Sequence, residues 1–145
     1  MTAWPKARAF IALFAITAAL AVPASAKDNY ERVVPLLDTT TTVLGQPHAY
    51  PKGEAKVTSA IVTMMPGEET GIHFHPVPTY GYILDGELTV SYPGGVEKTY
   101  RKGQAVMEAV GTLHNGKNLG TGPVRILVVS MGVVGKSNTL FPKDE

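Results

Sequence analysis

Between Ala55 and Met131 the chain falls into short runs of β-branched and aromatic residues, each closed by a glycine or proline turn signal. The runs recur roughly every 8–12 residues, the spacing of an all-β sandwich or barrel. After Lys27 no stretch keeps a helical period for more than about two turns. Strands are expected at Ala55–Met65, Tyr80–Leu84, Glu87–Tyr92, Val96–Tyr100, Gly103–Ala109 and Pro123–Met131. Pro66-Gly67 and Pro93-Gly94-Gly95 punctuate them, and Asp85-Gly86 reads as a two-residue type I′ hairpin turn. The segment from Gly116 to Gly122 reads as a loop.

The ends of the chain are of a different kind. Lys6 and Arg8 precede an apolar run from Ala9 to Val22 that only Thr17 interrupts, and Ala24-Ser25-Ala26 follows. This is the form of a secretory signal peptide, residues 1–26, and the run is shorter than the ~20 residues of a permanent span. Cleavage after Ala26 by the Sec route leaves 119 residues from Lys27, bound for the periplasm or the exterior; an uncleaved anchor is the alternative. Residues 27–54, with Pro35 and Thr39-Thr40-Thr41-Thr42, read as an irregular arm with an edge strand near Thr39–Leu44. Residues 55–134 form the barrel, and residues 135–145 read as a loose tail.

The chain has no cysteine, which excludes disulfides, a lipid anchor on a cysteine and thiolate metal sites. Without the residues up to Ala26, 11 basic side chains face 12 acidic ones, with no basic block. Nucleic acid and anionic membrane surfaces are therefore not expected partners; a small molecule is.

The stretch from Gly67 to Gly86 carries His73 and His75 two residues apart, between a Pro-Gly turn and a strand. In extended chain, side chains at i and i+2 leave the same face about 7 Å apart. Two imidazoles placed so suit one divalent ion at about 2.1 Å. A second stretch, Gly103 to Asn118, turns at Gly111 and delivers His114. In a small barrel His114 can meet the other two across the interior.

The two stretches together resemble the cupin superfamily of small jelly-roll barrels. Gly67, His73, His75 and Gly86 fall on the first cupin motif, with Thr79 at its glutamate position. Gly103, Gly111, His114 and Asn118 fall on the second, with Ala109 in place of its proline. The resemblance implies an all-β, single-domain jelly-roll barrel with a metal held by His73, His75 and His114. It is similar to the three-histidine sites of cupin thiol and diketone dioxygenases, and implies Fe, Mn, Zn or Ni as cofactor. A homodimer is also consistent with the resemblance.

With a neutral hydroxyl at Thr79 where relatives place a carboxylate, three neutral imidazoles leave a divalent ion its full charge. Such a site favours anionic chelating ligands: carboxylates, enolates, diketonates. Glu108, just before the second motif's turn, is the candidate replacement ligand or holder of a metal-bound water, with Thr79 the other candidate beside the metal. His48 matches no motif and is expected in solvent. No nucleophile–base pair stands out, so catalytic residues beyond the metal are unassigned. Two functions stay open: a metal-dependent enzyme of dioxygenase or isomerase/decarboxylase type, and a non-catalytic module that binds a small ligand or metal.

Overall fold

The computed structural model describes residues 31–142. The signal-peptide reading of residues 1–26 lies outside the described residues. Seven strands follow in order: β1 Ala55–Met64, β2 Thr79–Asp85, β3 Glu87–Tyr92, β4 Val96–Arg101, β5 Ala105–Met107, β6 Asn115–Lys117 and β7 Val124–Val133. They form two antiparallel sheets, one ordered β1-β7-β2-β5 and the other β4-β3-β6. This is the all-β architecture expected from the turn spacing, and the two-sheet arrangement fits the jelly roll that the cupin resemblance implies. Among the described residues no helix is long and apolar enough to cross a membrane.

Alternation fills the interior. Thr79, Gly81 and Ile83 of β2 are buried, whereas Tyr80 and Tyr82 between them are half-buried on the outer face. On the opposing sheet Leu88, Val90 and Tyr92 of β3 are buried, and on β7 so are Val124, Ile126 and Ser130. These period-2 sets meet in one core with Met64 and Ala109.

Four local readings change. Asp85-Gly86 is not a hairpin, because β2 pairs with β5 and β7 while β3 pairs with β4 and β6. A type I′ turn needs positive φ at two residues, and only Gly86 has it, at +77°. The chain instead turns a corner there from one sheet to the other. The real hairpin joins β3 to β4 through a 3-10 turn at Pro93–Gly95. The loop expected from Gly116 begins instead with β6, which pairs with β3.

The arm and the tail also differ from expectation. Thr39–Leu44 holds no regular strand, only an isolated bridge from Thr41 to Pro47. It is a tight turn in which Thr42 N donates to Gln46 O. The Gln46 side chain then donates to Val110 O and accepts from Val110 N, which fastens the arm to the segment leading to His114. The described part of the tail, residues 135–142, is not loose: Leu140 and Phe74 exchange both backbone hydrogen bonds, at 2.9 and 3.0 Å. Four aperiodic residues carried no signal for that pairing.

An ideal Cβ at Gly86 would lie 2.5 Å from Pro123 O and 2.9 Å from Val124 Cα, with φ already positive. Gly86→Ala is expected to destabilise the protein by about 2 kcal/mol or more, read as a lower denaturant midpoint at unchanged m-value. Gly94→Ala, where nothing lies within 4 Å, should cost about 1 kcal/mol.

Candidate metal centre

His73 and His75 sit on an extended segment between β1 and β2, and His114 immediately precedes β6. His73 and His114 form an antiparallel bridge, with His73 N donating to His114 O at 3.0 Å and His114 N to His73 O at 2.8 Å. Directly opposed residues present side chains to the same face. His75, two residues on, shares that face and is held by Gly111 N donating to its carbonyl at 2.8 Å. The three rings converge with centroids 4.4, 5.0 and 5.1 Å apart. One ring nitrogen from each lies within 4.8 Å of the others.

The backbone sets which nitrogens face one another. His73 Nδ1 donates to Gly71 O at 2.8 Å, His75 Nδ1 to Asn138 O at 3.0 Å and His114 Nδ1 to Thr112 O at 2.9 Å. A carbonyl can only accept, so each Nδ1 carries the hydrogen and each Nε2 keeps its lone pair. Three neutral imidazoles with free Nε2 atoms are the donor set a divalent ion requires. Burial holds all three below the ordinary imidazole range, His75 down to about 4. The donor set therefore fits a metal at neutral pH without first losing protons.

Thr79 is fully buried and donates to Val77 O at 3.2 Å, with Ser130 Oγ at 3.3 Å. These contacts tie its hydroxyl to strand neighbours. Glu108 follows Val106 by two residues, and the same parity turns both side chains inward; both line the cavity beneath the histidines. Its Oε2 accepts from Tyr92 Oη at 3.0 Å and stands 4.0 Å from His114 Nε2. With His114 neutral, that approach is a contact between an imidazole and a carboxyl group, not an ion pair. Burial pushes the Glu108 carboxyl up from its ordinary value. Tyr100 Oη is buried without a hydrogen-bond partner, and burial raises its phenol to about 12.

Several contributors were silent in the sequence. Thr139 and Phe141 line the cavity, the Phe141 ring lies 5.9 Å from His73, and Asn138 supplies the carbonyl that orients His75. Tyr92 was legible by period 2 from Leu88 and Val90, but its link to Glu108 spans two sheets. Asn118, within the segment read as a loop, is buried and pins β1 through its Nδ2, which donates to Met64 O at 2.9 Å. His48 is not in free solvent: its ring nitrogens are buried without partners, outside the three-histidine group. A cavity of about 320 Å³ opens from the histidines into the interior.

Comparison with known proteins follows the same outline. A family model described as "Cupin domain" matches residues 60–130. No curated protein sequence matches the chain. A chain from crystal structures of DMSP lyases is 17% identical, with a TM-score of 0.52 over 60% of this chain and 44% of that one. An oxalate oxidase in complex with glycolate is 24% identical, with a TM-score of 0.51 over 59% of this chain and 45% of the other. A Bacillus halodurans protein is 18% identical, with a TM-score of 0.50 over 58% and 68%. The chain thus spans less than half the length of the two named enzymes, and the likeness is one of fold.

Two outcomes are expected. An imidazole whose folded pKa is depressed binds fewer protons than in the unfolded chain. Stability of the metal-free protein should therefore fall as pH drops from about 6.5 toward 4, by on the order of 3 kcal/mol for His75. Thermal midpoints across that range measure it, and His75→Asn should flatten the slope. Ending the chain after Lys136 removes the carbonyl that orients His75 and should weaken Zn(II) affinity about 10–100-fold. Chelator competition reads this, with the far-UV β signature retained.

Proposed function

The chain belongs to the cupin superfamily, and from that premise we propose that it is an exported, metal-dependent enzyme acting on a small anionic substrate at the three-histidine site. The observation that carries the reading is the set of three Nδ1–H groups, each spent on a backbone carbonyl. Side chains that merely filled a core would have no need of three free Nε2 atoms turned toward one another. His73, His75 and His114 would hold the ion. Once bound there, a divalent ion supplies Lewis-acid polarisation of a chelating carboxylate, enolate or diketonate.

The remaining roles belong to the chain. Thr79 leaves the site without a carboxylate at the usual family position, so the ligand's own negative charge is what balances the ion. Glu108 lies beside His114, buried and hydrogen-bonded to Tyr92. It is the group placed to exchange a proton with the bound molecule, and Tyr92 fixes which way its carboxyl points. The walls of the cavity are mostly apolar, and a low local dielectric strengthens each of these interactions.

Export follows from the sequence of residues 1–26 and is part of the proposal. Translocated unfolded, the chain would acquire its ion outside the cytoplasm. Three nitrogen ligands favour Zn(II) or Cu(II) over Fe(II) there.

The expected outcome is stoichiometric divalent metal in protein taken from its own compartment, starting at Lys27 by mass, and lost in His73→Ala and His114→Ala. Full metal retention in both variants contradicts the site. With a panel of small acids and diketones, His75→Ala should reduce turnover to the metal-free background. Glu108→Gln should lower turnover while keeping the metal, and should raise the thermal midpoint of the metal-free protein at pH 7, because burial in the folded state works against the carboxylate that the unfolded chain carries at that pH. Metal binding with no turnover by any reconstituted form would favour a non-catalytic binding module.

A further inference from the structure

Resting on His73, His75 and His114 as the metal ligands, we propose that the substrate is a monoanionic carboxylate or enolate carrying an apolar body, its head at the histidines and its body in the chamber below. The register of the strands builds this polarity. On β2 the inward positions run Thr79, Gly81, Ile83, opposite Ser130, Val128 and Ile126 of β7. Glu108 lies beside Thr79, its backbone N donating to Thr79 O at 2.8 Å, and Val106 is paired with Gly81. The polar inward residues of these strands therefore gather at the histidine end, and the next two steps are hydrocarbon. Four steps of extended chain take Thr79 to Ile83, about 13 Å.

Two glycines keep that space open. An ideal Cβ at Gly81 would lie 3.2 Å from Val106 Cγ1, and one at Gly116, on the facing sheet, 3.3 Å from Leu88 Cδ1. Both glycines line the cavity, and side chains there would grow into it. Protein interiors are otherwise close-packed, so about 320 Å³ left among valines and isoleucines is room for roughly ten non-hydrogen atoms.

Charge narrows the ligand further. Among the described residues no lysine or arginine lines the cavity, and its one carboxyl group is Glu108. A second carboxylate on the ligand would find no cation in the chamber, only hydrocarbon walls and the carboxyl group of Glu108. A molecule the size of oxalate would also leave the hydrocarbon walls without contacts. A single anionic head followed by an apolar body satisfies both ends.

The test is calorimetric titration of the Zn(II)-loaded protein with acetate, butyrate, hexanoate, octanoate and oxalate. Affinity should rise about fourfold per methylene until the chamber is full, and oxalate should bind no tighter than acetate. Gly81→Ala should shorten the preferred chain by one or two carbons, with acetate binding and zinc content unchanged. Val128→Phe should abolish the chain-length dependence. Equal affinity across the series, or tightest binding of oxalate, with zinc still stoichiometric, would overturn the apolar-body proposal while leaving the metal site standing. Hexanoate bound equally well by zinc-free His73→Ala would show the reverse: a chamber that holds hydrocarbon, with no metal at its head.

Discussion

The reciprocal backbone hydrogen bonds between His73 and His114 are the constraint on which the site depends. They join two stretches 41 residues apart in the chain and oppose the two residues directly. In an antiparallel pair this places both imidazoles side by side on one face. Gly111 N, donating to the His75 carbonyl, extends the same clamp by two residues. The third imidazole then follows from the strand period. Gln46, bonded to both polar groups of Val110, and Leu140, paired with Phe74, brace the clamp from either side. The rigidity of the site thus comes from main-chain bonds.

Electrostatics builds on that frame. Three imidazoles crowded in a low-dielectric pocket disfavour protonation, and burial is the largest cause of the shift at each. The same burial keeps the Glu108 carboxyl reluctant to ionise. Neutral rings spare the pocket three buried cations, which would otherwise be costly. On the proposed function, the ion and an anionic ligand would compensate each other. With Thr79 bonded to Val77 and facing Ser130, the one acidic group in the cavity enters from β5's extension rather than from β2.

Much of this was readable from residue order because it depends on short-range periodicity. Six of the seven strands stand where β-branched runs and turn residues place them, and His73 and His75 share a face by alternation alone. The errors share a cause. Asp85-Gly86 has hairpin chemistry, yet Pro123 O and Val124 packed against Gly86 make it a corner between sheets. Asn138–Phe141 has neither period nor motif, and its place beside His75 follows from a backbone pairing with Phe74, 66 residues away. The inward direction of Glu108 required the register of β5 against β2.

The sequence by itself determined the all-β class and the two histidine-bearing stretches, since each is a matter of residue identity and local spacing along extended chain; the carboxylate missing at Thr79 was legible only through the resemblance to the cupin motif. Tertiary structure alone decided that Nδ1 rather than Nε2 of each histidine is occupied, that Glu108 and Tyr92 meet across two sheets, and that the chamber is polar at one end and hydrocarbon at the other. Those features depend on which backbone carbonyls and which strand registers come together in space. Side-chain patterning reports the face a residue presents, but the partner it meets there is set by the pairing of distant strands.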